Sequence, residues 1–258
     1  MNTKKIANKE AAVVENTTSK TLISLKNIRK EYGKNETKVM AVDGVSFNIN
    51  EGENLALIGA NGAGKTTTVE MILGINKPTS GTISYLFSKS GKAEDVKKEL
   101  GIQFQDSTYP QYISVKKLIT FIINAYNIRI STQELNSLIK TFKIKSFYNN
   151  PAASLSGGQT QRLNIFLSLI HKPKVVFLDE LSTGLDITTR NDFKDFIKQY
   201  AIDNKMTIVL ISHDVTEILA LTDRMILLKK GKVVRDICLK DFKKDPASFQ
   251  KYLEDNLN

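Results

Sequence analysis

The chain has 258 residues, of which 37 are Lys or Arg and 27 are Asp or Glu, giving a net charge of +10, with 41 % hydrophobic residues, one cysteine (Cys238) and no tryptophan. This length suits one generous domain or a core with an appended subdomain; the apolar share excludes a wholly disordered chain, and one cysteine excludes an internally disulfide-stapled scaffold. No apolar run approaches the roughly 18 residues of a membrane-spanning helix, and the start of the chain, whose only apolar patch is Ala11 to Val14, lacks a signal-peptide core, so a soluble protein of a reducing compartment is expected.

Of the basic residues 31 are Lys and only six are Arg, scattered along the chain. Nucleic-acid readers cluster basic residues and favour Arg, so the charge is read as a basic, soluble surface and no nucleic-acid partner is expected.

Residues 1–20 are polar and aperiodic and read as a flexible leader, with the folded domain over 21–258. From Leu22 the sequence turns β-like, over Leu22 to Leu25, Val39 to Asn50 and Asn54 to Ile58. The alternation of Val45 to Ile49 suits a half-buried strand, whereas the continuous run Leu55 to Ile58 suits a strand covered on both faces. A helix from Lys65 to about Leu73 ends at Gly74. Helical spacing returns over Val115 to Ile128, and Ser131 to Glu134 reads as a capping box opening a second helix. A third helix begins near Ser156, and His171 falls in a polar turn expected at the surface. The buried-strand runs Val175 to Leu178 and Ile208 to Ile211 are separated by a charged helix from about Thr189 to Ala201, a spacing that implies a parallel sheet with crossover helices. Met225 to Ile237 looks like a hairpin, and Asp245-Pro246 opens a last helix.

Between a buried strand and a helix stands Gly59-Ala60-Asn61-Gly62-Ala63-Gly64-Lys65-Thr66-Thr67, which fits G-x-x-x-x-G-K-[ST] in the context that motif requires. Glycines let backbone N–H groups turn inward around a phosphate, and the helix N-terminus adds positive field. Lys65 can reach the β- and γ-phosphates and the Thr66 hydroxyl can ligate Mg²⁺. A second buried strand delivers Asp179 and Glu180 to its carboxyl end, where open α/β sheets bind ligands; Asp179 is expected to hold Mg²⁺, and Glu180 to orient or deprotonate the attacking water. The expected fold class is therefore α/β: a P-loop NTPase core with a mostly parallel sheet, an N-terminal antiparallel β region and a helical subdomain inserted over about 107–170.

Leu155-Ser156-Gly157-Gly158-Gln159, followed by Gln161-Arg162 and an apolar-striped helix, carries a family resemblance. The chain resembles the ATP-binding subunit of an ABC transporter over nearly all of residues 22 to 237. The resemblance implies that Ser156, Gly157, Gly158 and Gln159 dock on ATP held by the phosphate loop of a second subunit. A Ser cap on a glycine-rich helix start that faces an anion agrees with this. It further implies that Gln105 touches Mg²⁺ and links core to helical subdomain, with Gln103 its rival two residues earlier, and that Asp186, in Ser182 to Asp186, crosses the dimer. His213 resembles the histidine that contacts the γ-phosphate, and Tyr32 the aromatic that stacks on adenine, a core tyrosine being the alternative. The chain departs from the family at Leu181, where proline usually follows the catalytic glutamate.

The function expected from the resemblance is that of a cytoplasmic ATPase subunit, peripheral on the inner face of the membrane. With ATP and Mg²⁺ it would form a dimer with a like or paralogous subunit. It would power a separate permease contacted near Ser107 to Ser114, with export preferred on the run Asn61 to Thr67 and on the lack of an added C-terminal domain. A soluble ABC ATPase serving an assembly or scaffold complex is the alternative.

Overall fold

The computed structural model describes residues 19–33, 37–88, 92–104, 108–181 and 187–257. Gln105, Asp186, Ser107 and nearly all of the leader lie outside the described residues. The fold divides into two compact units, Met1–Ala93 with Thr207–Asn258, and Glu94–Met206.

In the first unit β1 (Thr21–Tyr32) pairs antiparallel with β2 (Val39–Asn50), from Thr21 opposite Asn50 to Tyr32 opposite Val39. On the other side of β1 lies β4 (Ser80–Tyr85), also antiparallel. Leu22, Ile23, Leu25 and Ile28 of β1 and Val42, Val45, Phe47 and Ile49 of β2 are buried, the alternate residues of β2 pointing outward as the period of two requires. The second layer contains β3 (Leu55–Ile58), β7 (Thr207–Ile211), β8 (Arg224–Lys229) and β9 (Lys232–Cys238). β7 and β8 flank β3 in parallel and β9 returns antiparallel on β8. All four residues of β3 are buried, which explains its unbroken apolar run: a strand with neighbours on both edges and cover on both faces has no solvent side.

α1 (Lys65–Ile72) leaves the end of β3 through the glycine loop and buries Thr68, Val69, Met71 and Ile72. α7 (Val215–Leu221) follows β7, and α8 (Pro246–Leu257) begins with proline at its first position and buries Phe249 and Leu253. One buried cation fastens this unit. The Arg224 guanidinium donates to both Asp236 oxygens at 2.6 Å, to Glu53 Oε2 at 3.1 Å and to the Asn48 carbonyl at 3.1 Å. Burial alone would lower its pKa, but Asp236 and Glu53 outweigh that and hold it above its ordinary value.

In the second unit β5 (Leu100–Gln103) and β6 (Val175–Asp179) run parallel, Leu100 opposite Val175 and Gln103 opposite Leu178. Around them stand α2 (Ala93–Lys98), α3 (Val115–Ala125), α4 (Thr132–Thr141), α5 (Gly157–Leu169) and α6 (Ile187–Asp203). Phe142 sits at the centre, meeting the rings of Phe166, Phe193 and Phe196 edge-on at 5.1 to 5.5 Å, the preferred geometry of aromatic pairs. Ser114 and Ser131 cap α3 and α4, accepting from Lys117 N and Glu134 N.

Two local expectations are corrected. At Ser131 only the hydroxyl half of the capping box is seen, and the Glu134 carboxylate meets the Lys172 ammonium at 2.6 Å, because a charged donor outbids a backbone N–H. His171 is partly buried: its ring lies 4.4 Å from that of Tyr126 and Nε2 is 3.1 Å from the Leu100 carbonyl. Burial lowers its pKa from 6.5, against weaker opposing bonds to backbone carbonyls. The sequence reading also passes over β4, α2 and β5.

Candidate functional site

Gly64 has φ 99° and ψ 8°, the left-handed backbone that turns the chain from loop into α1, and no side chain caps that helix. A Cβ on Gly64 would lie 2.5 Å from the Ala41 carbonyl oxygen, so the position needs glycine for space as well as for φ. The loop closes on itself through Ala63 N to Ala60 O at 3.0 Å. It is tied to the β8–β9 turn by Gly231 N to Ala63 O at 3.0 Å, and that turn to β2 by Asp43 N to Gly231 O at 2.8 Å. Lys65 folds back across the loop, its ammonium donating to the Gly59 carbonyl at 2.5 Å and to that of Ala60 at 3.2 Å. Ala60, Asn61, Gly62 and Thr66 are exposed and Thr67 is half-buried. A cleft of about 230 Å³ opens between Ala60 to Ala63, Leu228 to Lys230 and the last turn of α8. The arrangement fits a phosphate: an uncapped helix N-terminus, a turn of backbone, and an ammonium resting on carbonyls that an anion can replace as its partners.

Two further predicted residues of this unit are at the surface. Tyr32 ends β1 with 40 % of its surface exposed, so it is no core tyrosine; its hydroxyl accepts from Asn76 Nδ2 at 3.3 Å and the Lys30 ammonium stands 5.1 Å from its ring centre. His213 is exposed in the turn after β7. The turn is pinned on both sides: the Ser212 hydroxyl donates to Glu217 at 2.7 Å and accepts from Asp214 N at 3.0 Å, and Asp214 caps α7 through Thr216 N and Glu217 N. The sequence reading missed Glu217, whose one signal is a carboxylate inside the apolar stripe of α7.

In the second unit Ser156 caps α5 and forms a complete capping box with Gln159: Ser156 N donates to Gln159 Oε1 at 3.0 Å, and Gln159 N to the Ser156 hydroxyl at 3.4 Å. Ser156 and Gly157 are exposed, while Gly158 and Gln159 are half-buried. Asp179 ends β6 and Glu180 follows it, both half-buried, and Glu180 has φ 51°. Gln103, the rival to Gln105, is buried; its Oε1 accepts from Asp179 N at 3.0 Å and its Nε2 donates to the Phe104 carbonyl at 2.8 Å. Its amide is thereby occupied with backbone. Among the described residues no group of three or more His, Cys, Asp and Glu is gathered to hold a metal.

The first unit thus has the strand, loop and helix of a P-loop nucleotide-binding protein. Residues 42–183 match the ABC transporter family. The chain is 32 % identical over 220 residues to the ABC transporter ATP-binding protein NatA of Bacillus subtilis (strain 168), covering 83 % of this chain and 88 % of NatA. It is 32 % identical over 216 residues to the spermidine/putrescine import ATP-binding protein PotA of Spiroplasma citri, covering 82 % of this chain and 60 % of PotA. Among solved structures, the dimeric post-hydrolysis state of the ATP-binding cassette MJ0796 bound to ADP and phosphate superposes with a TM-score of 0.75 at 26 % identity, over 84 % of this chain and 99 % of that one. The chain belongs to the ABC transporter family, as an ATP-binding subunit that hydrolyses ATP.

Proposed function

We propose that two such subunits, this chain and a like or paralogous copy, lie at the cytoplasmic face of a membrane and power export by a separate permease. The phosphate loop carries the proposal: Lys65 rests on the Gly59 and Ala60 carbonyls, partners that a β- and γ-phosphate replace. Tyr32 stacks on adenine, such contacts being worth about 1 kcal/mol or more. Thr66, Asp179 and Gln105 would hold Mg²⁺, which would supply charge neutralisation on the phosphates. Glu180 takes a proton from the attacking water as its oxygen bonds to the γ-phosphorus and the bond to ADP breaks, and His213 steadies the γ-phosphate. Ser156, Gly157, Gly158 and Gln159 meet the nucleotide held by the second copy, with Asp186 crossing between copies; the dimeric form of the MJ0796 cassette supports this.

For the permease, the proposal uses the segment before α3 and α3 itself, where Tyr112 is 91 % and Phe121 64 % exposed. Among the described residues no helix is long and apolar enough to cross a membrane, and the spans are assigned to the other polypeptide. The name of PotA favours a second reading, import, and vesicle assays of the complex separate the two by the side from which substrate is taken. Recovery of a soluble assembly factor in place of a permease would favour the scaffold alternative. The catalytic assignment is tested by Glu180→Gln, expected to bind ATP, lose turnover and accumulate as an ATP-bound dimer on light scattering; retained steady-state hydrolysis sinks it.

A further inference from the structure

Two buried glutamines hold the end of β6. Gln161, in the second turn of α5, donates its Nε2 to the carbonyls of Glu180 and Leu181, both at 3.0 Å, and its Oε1 lies 3.4 Å from Gln103 Nε2. Gln103, at the end of β5, accepts from Asp179 N at 3.0 Å. Three consecutive backbone units, 179 to 181, are therefore held from two different elements by one pair of amides. Buried amides are costly unless fully bonded, and apolar side chains would fill a strand end and a helix face without that requirement.

What they hold is strained. Glu180 has φ 51°, a left-handed backbone that non-glycine residues rarely adopt and keep only when their surroundings over-determine it. The residue before a proline is driven toward extended backbone. Leu181, where the family usually has proline, lifts that restriction; it is buried, and its carbonyl is one of the two that Gln161 binds.

We infer that the Gln103–Gln161 pair is a positioning device for Glu180, fixing the left-handed turn that aims its carboxylate and tying that aim to the helix that starts at Ser156. The inference rests on Glu180 being the general base of the proposed function. Gln161 is a positioning residue: its side chain reaches the Glu180 and Leu181 carbonyls and the Gln103 amide, and its effect on the reaction passes through Glu180. A misplacement of about 1 Å in a catalytic group can lower a rate about 100-fold, so a loosened turn is read in kcat. Nucleotide affinity, set by the phosphate loop and Tyr32 in that proposal, is left alone.

The test is Gln161→Met in the full chain, with ATPase kcat and KM, the Kd of a fluorescent ATP analogue and the thermal midpoint measured together. Positioning predicts a fall in kcat of about 10- to 100-fold with KM and Kd within about twofold. A kcat within about twofold of the parent overturns it, as does a fall in kcat matched by a rise in KM or Kd, which would mark a general disturbance of the site. If Gln161→Met does not fold, Gln161→Glu keeps the shape and removes both N–H donors; failure of both to fold makes the pair a support of the fold alone and overturns positioning. Glu180→Gln run in parallel separates the two levels. Hydrolysis retained there removes the general base itself, whereas hydrolysis lost there and normal in folded Gln161→Met overturns only the clamp.

Discussion

Gly64→Ala puts a methyl group where the phosphate loop is tightest. The new Cβ would lie 2.5 Å from the Ala41 carbonyl oxygen, against about 3.4 Å for ordinary contact, so something must yield by about 0.9 Å. β2, which carries Ala41, is paired along its length with β1, and on another side the methyl would come 3.5 Å from Gly231 Cα, so the loop yields. Its left-handed φ of 99° adds about 1–2 kcal/mol for a residue with a Cβ. A displaced loop also loses at least one charge-assisted hydrogen bond to phosphate, about 1.5–3 kcal/mol. Together these give about 3 kcal/mol, or roughly 100-fold in Kd at about 1.4 kcal/mol per decade. Calorimetric titration with ATP and Mg²⁺ on protein shown to be folded by circular dichroism measures it. A Kd within about threefold of the parent would refute the view that this loop closes on phosphate. Gly62→Ala is the control: φ is 78° but nothing lies within 4 Å of its Cβ, so strain acts there without a clash and the loss should be smaller.

Arg224→Met strips Asp236, Glu53 and the Asn48 carbonyl of one buried donor. Breaking a buried pair costs about 3–5 kcal/mol, but Asp236 is 32 % exposed and recovers water, so about 3 kcal/mol is expected. At about 2–4 °C per kcal/mol in a protein this large the melting midpoint should fall by about 6–12 °C; a fall under about 2 °C would mean the network contributes little. His171 has its pKa lowered from 6.5 by burial. The unfolded chain therefore takes up the proton first, so the stabilisation is complete above pH 6.5 and is lost as pH falls through the lower folded value. Melting midpoints followed from about pH 7 down to about pH 5 should decline less steeply in His171→Gln than in the parent, and parallel curves would discount the residue.

What the sequence made legible is what is locally encoded. The run from Gly59 to Thr67 carries its own turn chemistry, β3 announces two-sided cover by four consecutive apolar residues, and Ser156 reads as a helix cap, to which the structure adds the reciprocal bond of Gln159. β4 escaped notice because Ser80, Gly81 and Thr82 are exposed and Ile83 to Tyr85 only half-buried, which leaves no alternation to read. β5 is four residues long with a glycine and a glutamine in it. Glu134 and His171 were misread for the same physical reason: each is settled by a partner distant in sequence, Lys172 and Tyr126, which no local pattern records. Gln161 stands two residues beyond Gln159, yet its shortest bonds are to the backbone carbonyls of Glu180 and Leu181, and bonds to backbone leave no mark on side-chain identity.

The capping box on α5 bears on the timing of assembly. In a solitary copy Ser156 and Gln159 answer each other's N–H groups, so two donors of the helix start already have partners within the chain. Under the proposed dimer, only a competitor with concentrated negative charge displaces neutral bonds of this kind, and the γ-phosphate supplies it. Once that group had left, the cap would re-form within its own chain and the joint would lose its adhesive. In that proposal the same short motif that would recruit the second subunit would also reset the encounter, making each association as brief as the triphosphate that sponsors it.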